Sequence, residues 1–170
     1  MLNRIIGVLR LDGRTYEEIE HDPAATQQAV IIVLIVGLLS AIGSGIGSQQ
    51  GGFLGRFLGS LIWAFLGWML WTVVSYFVGT RLFGGQGTLS GLFRTIGYAQ
   101  APLLLSIIPC FGPVVGGIWA LITGFIAIRQ AMDLDNLRAF ITILVGFLFY
   151  IAGVIVLGIF LAPAALLFGR

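Results

Sequence analysis

Long apolar stretches separated by short polar ones make up most of this chain, and a polar arm of 26 residues precedes them. Each stretch holds close to 20 residues with few charges, the length that an α-helix needs to cross a hydrocarbon core of about 30 Å. The pattern predicts an all-α polytopic integral membrane protein whose five transmembrane helices form one bundle, at about 27–46, 57–79, 93–109, 113–130 and 137–160. The bundle would occupy 27–161, with Pro163 ending the last helix and 162–170 forming a short tail.

The division between the third and fourth spans depends on two prolines. The 30 residues from 101 to 130 carry one charge, Arg129, and as a single helix they would extend about 45 Å, well beyond the hydrocarbon core. Proline removes a backbone donor and clashes with the preceding turn of a helix. We therefore expect a tight hairpin between the two spans, with Pro109, Gly112 and Pro113 as its turn residues.

The arm, residues 1–26, is expected to contain two short helices. Apolar residues at positions 2, 5, 6 and 9 predict an amphipathic helix on the membrane surface. Thr15 and Glu18 have the spacing of a capping box for a second helix, and Asp22 before Pro23 predicts the N-cap of the first span. An interfacial anchor is the simpler interpretation of the arm, and a partner-binding arm is the alternative.

Composition excludes several classes of protein. Hydrophobic residues make up 58% of the chain and charged residues 9%, whereas soluble domains average roughly 25% charged residues. With a mean hydropathy of +1.04, a soluble enzyme or soluble binding module is excluded. The nine basic residues are all arginines and form no cluster that could meet a phosphate backbone, so no nucleic-acid partner is expected.

The distribution of arginines predicts the orientation of the bundle. With five spans, one side of the membrane holds seven arginines: Arg4, Arg10, Arg14, Arg81, Arg94, Arg129 and Arg138. The other side holds two, Arg56 and Arg170. Because cytoplasmic segments carry the excess of basic residues, the N-terminus is expected in the cytoplasm and the C-terminus outside.

The sequence offers no candidate residues for catalysis or for metal binding. The predicted spans have no Asp, Glu, Lys or His near their middle, which argues against ion-coupled transport. His21 is the only histidine, so neither a metal set nor a Ser/His/Asp triad can be assembled. We therefore predict a protein that is not an enzyme and has no cofactor.

Polar and aromatic side chains within the second and third spans form the remaining candidate site. They predict either an interhelical packing cluster with satisfied hydrogen bonds or a polar groove for a lipid or a partner helix. The candidate residues of this cluster are Trp71, Thr72, Ser75, Tyr98, Gln100 and Pro102.

Three stretches of the chain resemble the Yip family, the Ypt/Rab-interacting membrane proteins, in its short prokaryote-type form. They are the arm segment 16–23, the segment 97–102 leading into Ile108 and Pro109, and the start of the fourth span at 116–119 with its exit at 129–131. The resemblance implies a five-span, non-catalytic bundle in the cell membrane with a cytoplasmic N-terminus. It also implies a link to Rab-type GTPases and vesicle traffic, but the short arm argues against a GTPase partner here.

Two classes of function follow. The first is a non-enzymatic protein of membrane organisation or trafficking, whose helices pack with lipids, with other membrane proteins or with further copies of itself. The alternative is a passive transporter or channel component for a small or lipophilic solute. A polar pathway joining Tyr98, Gln100, Thr72 and Ser75 would favour the alternative.

Overall fold

Residues 1–45, 53–108 and 111–168 are described by the computed structural model, and they contain helices but no strand. The all-α prediction is therefore confirmed for this part of the chain. Seven α-helices and one 3-10 segment follow one another: α1 Leu2–Leu9, α2 Gly13–His21, α3 Ala25–Gly45, α4 Phe53–Phe83, α5 Leu89–Ala99, the 3-10 segment Ala101–Ile107, α6 Gly112–Ala131 and α7 Asn136–Phe168.

Three of the described helices are long and apolar enough to cross a membrane: Phe57–Phe83, Gly112–Ala131 and Asn136–Gly153. The number rises to four if Gly13–His21 and Ala25–Ser40, which meet at an angle of 112°, are counted as one bent span. The prediction of a membrane protein built from apolar helices is supported, and the count of five spans stays a prediction.

The long helices pack through small residues. Helix α4 lies between α3 and α7, where a Cβ added at Gly37 of α3 would lie 3.1 Å from Cβ of Ala64. On the other side of α4, a Cβ at Gly146 would lie 3.4 Å from the Ser75 hydroxyl, and one at Gly153 would lie 3.2 Å from the Leu70 side chain. Glycines in both partner helices thus allow close approach to α4.

The third predicted span, 93–109, is not one helix. Helix α5 begins earlier, after Thr88, whose hydroxyl accepts a hydrogen bond from the Gly91 amide, and it ends at Ala99 before the 3-10 segment. Pro102 explains the break, because it has no N–H for a helical bond to the carbonyl four residues earlier. That carbonyl belongs to Tyr98. The next amide, of Leu103, donates to the Gln100 carbonyl at 2.9 Å, and the Ala99 carbonyl accepts from the Thr123 hydroxyl of α6 at 2.7 Å.

The last helix runs further than predicted. Helix α7 continues through Pro163 to Phe168, so the expectation that Pro163 ends the helix and begins a separate tail is wrong. Prolines are tolerated inside apolar spans, where local adjustments and neighbouring groups satisfy the freed carbonyl.

The arm folds back onto the helices rather than lying apart from them. Val8 of α1 is fully buried, and α1 contacts α2, α5 and the 3-10 segment. The Trp119 indole N–H of α6 donates to the Leu9 carbonyl at 3.2 Å. Leu2 and Ile6 of the predicted apolar face stay 74% and 47% exposed, so α1 packs on protein through Val8 and its position at the membrane surface stays a prediction.

The second helix of the arm starts three residues before the position that the capping box predicted, because its N-cap is Asp12 and not Thr15. Asp12 caps α2 by accepting from the Arg14 amide at 3.2 Å and from the Thr15 hydroxyl at 3.0 Å. At the other end of α2, Asp22 accepts from the Ala24 amide at 2.9 Å. Asp22 therefore caps the start of α3 as predicted, although the helix itself begins at Ala25.

The arm and two connections meet at one end of the assembly, called here the arginine-rich end. The Gln86 amide donates to the Met132 carbonyl at 3.1 Å, and Gly13 approaches the side chain of Gln130. A Cβ at Gly91 would lie 2.6 Å from the Glu20 side chain. The seven arginines assigned to one side all belong to these segments: 1–22, 81–94 and 129–138.

Candidate functional site

An ion-pair network joins the two helices of the arm. Nη2 of Arg4 lies 2.7 Å from Oε1 of Glu18 and 2.7 Å from Oδ2 of Asp22. The Arg4 side chain is only 17% exposed, so these contacts are partly shielded from water. The hydrogen bonds that Arg4 donates to Glu18 and Asp22 raise the pKa of Arg4. The hydrogen bond from the Ala24 amide, and to a smaller extent that from Arg4, lowers the pKa of Asp22.

A second set of polar contacts ties the arm to the long helices. Nε of Arg94 in α5 donates to the Thr26 hydroxyl at 3.0 Å, and its guanidinium also donates to the Glu20 carbonyl. The buried Tyr98 donates its hydroxyl proton to the side-chain oxygen of Gln28. Burial raises the pKa of the Glu20 carboxyl.

An open polar cavity of about 490 Å³ lies over this network. Its lining comes from α1, α2 and the start of α3: Met1, Asn3, Arg4, Thr15, Glu18, Asp22 and Gln28. The guanidinium in this cavity is already paired with two carboxylates. The network therefore joins the two arm helices to the start of α3, and its one positive and two negative groups leave a net negative charge.

Two of the predicted cluster residues meet in a second groove. Trp71 and Gln100 both line a cavity of about 350 Å³ between α4, the 3-10 segment, α6 and α7. The Trp71 ring contacts Phe147 and Tyr150 edge-on, with ring centroids 6.3 Å and 6.0 Å apart. We call this cavity the aromatic groove.

The other predicted cluster residues point elsewhere. The buried Thr72 hydroxyl donates to the Trp68 carbonyl of its own helix at 2.8 Å, and Tyr98 faces the arm. Within the described residues the buried Ser75 hydroxyl and the Trp68 indole N–H have no hydrogen-bond partner. In this part of the chain, Tyr98, Gln100, Thr72 and Ser75 therefore do not line one common cavity.

The predicted hairpin turn lies where the 3-10 segment approaches α6. A Cβ at Gly112 would overlap the Leu105 carbonyl, and one at Gly116 would lie 2.7 Å from the carbonyl oxygen of the buried Pro102. Pro113 occupies the first turn of α6. Pro109 lies outside the described residues.

The ion-pair network of the arm was not predicted from the sequence, although the distribution of charges in the arm indicates it. Five of the seven acids lie between positions 12 and 22, just after Arg4 and Arg10. Opposite charges on adjacent amphipathic helices favour pairing, but the pattern alone does not say which arginine pairs with which acid.

Comparison with known proteins covers nearly the whole chain. The Yip1 domain matches residues 6–165, from within α1 to near the end of α7. No curated protein and no solved structure matches the sequence. The extent of the match shows that the chain belongs to the Yip1 domain family.

Proposed function

We propose that this protein is a non-enzymatic, five-span integral membrane protein that acts by associating with lipid or protein partners within the bilayer, in a role of membrane organisation or trafficking. The observation that carries the proposal is the apolar outer surface of its candidate spans. In α4, α6 and α7, only 12%, 28% and 17% of the residues in the most apolar windows are buried inside the chain. Such surfaces need lipid or another apolar helix against them.

The family and the placement of ionisable groups support a role without catalysis. The Yip family is a non-enzymatic membrane family. Among the described residues, no group of three or more His, Cys, Asp or Glu side chains is arranged so that it could hold a metal ion. The acids lie in the arm and in the loop before α7, away from the apolar windows.

Orientation and location complete the proposal. The arginine-rich end is placed in the cytoplasm of a prokaryotic cell, because seven of the nine arginines belong to the segments that meet there. A GTPase partner is not proposed, because the arm's apolar residues Val8, Tyr16 and Ile19 are fully buried against this protein itself.

Photo-crosslinking in native membranes tests the proposal. A photoreactive residue at Ile118, which is 56% exposed on α6, should capture discrete lipid or protein adducts, whereas one at the fully buried Ile128 should not. Purified protein in sealed vesicles provides the opposing test. Uptake of a solute driven by a proton or sodium gradient, and lost in Gln100→Ala or Tyr98→Phe, would overturn the association proposal in favour of transport.

A further inference from the structure

A second apolar groove runs along the outer face of α4, near the end of that helix that carries Arg81. The groove has a volume of about 410 Å³, and it is lined by Val73, Val74, Phe77, Val78, Arg81 and Leu82 of α4 and by Phe149 of α7. Phe77, Leu82 and Phe149 are 55%, 64% and 59% exposed. The groove therefore opens outward, toward whatever surrounds the helices.

The length of this groove matches one leaflet of a membrane. Nine residues separate Val73 from Leu82, which at 1.5 Å per residue gives about 13 Å along the helix axis. Half of a hydrocarbon core of about 30 Å is close to the same length. The groove thus extends from the arginine-rich end to about the depth at which an acyl chain of that leaflet ends.

Arg81 lines the groove through its apolar stem, and no described residue pairs with its positive charge. Within the described residues its side chain has no hydrogen bond or ion pair, whereas Arg94, Arg129 and Arg138 contact Thr26, Asn136 and Asp135 respectively. Arg81 is exposed, and arginines at span ends extend to the headgroup level. Its free guanidinium fits a phosphate, which accepts two parallel N–H donors.

We propose that this groove binds an anionic phospholipid, with one acyl chain along Val74 and Phe77 and the lipid phosphate on Arg81. The inference rests on the proposed membrane embedding and names a lipid as one of its partners. Anionic lipids are the expected occupants because cytoplasmic leaflets are rich in them and basic sites at that level select them.

Native mass spectrometry of the purified full-length protein tests this binding. The probes are dioleoylphosphatidylglycerol and dioleoylphosphatidylcholine, which share their acyl chains and differ in headgroup charge. We expect tighter binding of phosphatidylglycerol, and Arg81→Gln should weaken that binding about fivefold, toward the phosphatidylcholine level. Arg14→Gln, which removes an exposed arginine of the arm, is the matched control and should change binding less than twofold.

A second variant tests the apolar part of the groove. Val74→Trp should fill it and weaken both lipids, whereas Val114→Trp, at an outward position on α6 that is 61% exposed, should not. Equal losses in Arg81→Gln and Arg14→Gln, or unchanged lipid binding in Val74→Trp, would overturn the inference. A dimer lost in Val74→Trp would assign the groove to a second copy of the chain instead. If lipid binding fails while crosslinking at Ile118 still captures partners, the proposed function stands without this lipid site.

Discussion

Arg4 of α1 and Glu18 of α2 are 14 residues apart in sequence, and Nη2 of the first lies 2.7 Å from Oε1 of the second. The same guanidinium nitrogen lies 2.7 Å from Asp22, the residue that caps the start of α3. One side chain therefore links both arm helices to the start of the first long helix.

Replacing Arg4 should loosen the arm. Arg4→Gln removes two ion pairs, but Glu18 is 61% exposed and Asp22 31% exposed, so water already screens much of their attraction. We expect a loss of about 1 kcal/mol, which corresponds to roughly fivefold more frequent opening of α1. Hydrogen exchange of Leu2–Leu9 in reconstituted vesicles measures it.

Arg10→Gln is the control for this experiment, because it removes an equal charge from an exposed arginine of the same arm. Exchange in α1 should stay at the wild-type level in this variant. Equal acceleration in both variants would mean that net charge, and not the Arg4 contacts, holds the arm.

The docking of the arm should also weaken in acid. The Ala24 amide, Arg4 and Arg94 lower the pKa of Asp22. The Asp22 carboxylate therefore stabilises the folded arm at neutral pH, and this stabilisation is lost as the pH falls below the ordinary pKa of 3.8. Glu20 acts in the opposite sense: burial raises its pKa, so its protonation, which comes first as the pH falls, relieves a penalty. A spin label at Arg10→Cys in a Cys110→Ser background should become mobile below about pH 4.

Asp22→Asn removes the carboxylate charge but keeps the helix cap, because the amide oxygen can still accept from the Ala24 N–H. In this variant the arm should be looser at neutral pH, and the step below about pH 4 should shrink. An acid transition of unchanged size in Asp22→Asn would assign it to another group.

Two adjacent glycines in α6 test the contact with the 3-10 segment. A Cβ at Gly116 would lie 2.7 Å from the Pro102 carbonyl, whereas one at Gly117 would meet nothing within 4 Å. Gly116→Ala should therefore destabilise the protein by about 1–3 kcal/mol through backbone displacement. Gly117→Ala should be neutral or stabilising by up to about 1 kcal/mol, since alanine favours helix. Thermal unfolding in detergent compares them, and equal effects would contradict the packing described.

The hydroxyl of Thr123 should matter more than that of Thr72. Both side chains are fully buried, but Thr123 donates to the Ala99 carbonyl of another helix at 2.7 Å, while Thr72 donates to the Trp68 carbonyl of its own helix. We expect Thr123→Val to cost about 0.6–1.7 kcal/mol of stability and Thr72→Val distinctly less. The same unfolding measurement checks this, and a larger loss in Thr72→Val would show that the interhelical bond is dispensable.

The positions of the long helices could be predicted because membrane spans have a required length and a near-absence of charge. Helices α3, α4, α6 and α7 all begin within four residues of the predicted positions. Pro102 indicates the break after Ala99, but the five glycines and prolines that follow it within 15 residues are competing candidates for the break.

Side-chain partners were harder to predict than helices. The apolar face of α1 is equally suited to a lipid surface and to protein, and periodicity does not separate the two. The directions in which the Thr72 and Tyr98 hydroxyls point depend on how each helix is rotated about its axis. The sequence therefore did not predict that Thr72 bonds to its own helix and Tyr98 to the start of α3. The arginine excess on one side, in contrast, could be predicted, because it follows from the number of arginines in each segment between the spans.

Reporters fused after Gly85 and after Arg170 in living cells test most directly whether the protein has five spans and a cytoplasmic arginine-rich end. We expect a cytoplasmic reporter at Gly85 and an external one at Arg170, because three spans are proposed between them. Cytoplasmic reporters at both positions would show an even number of spans between them and would contradict this topology.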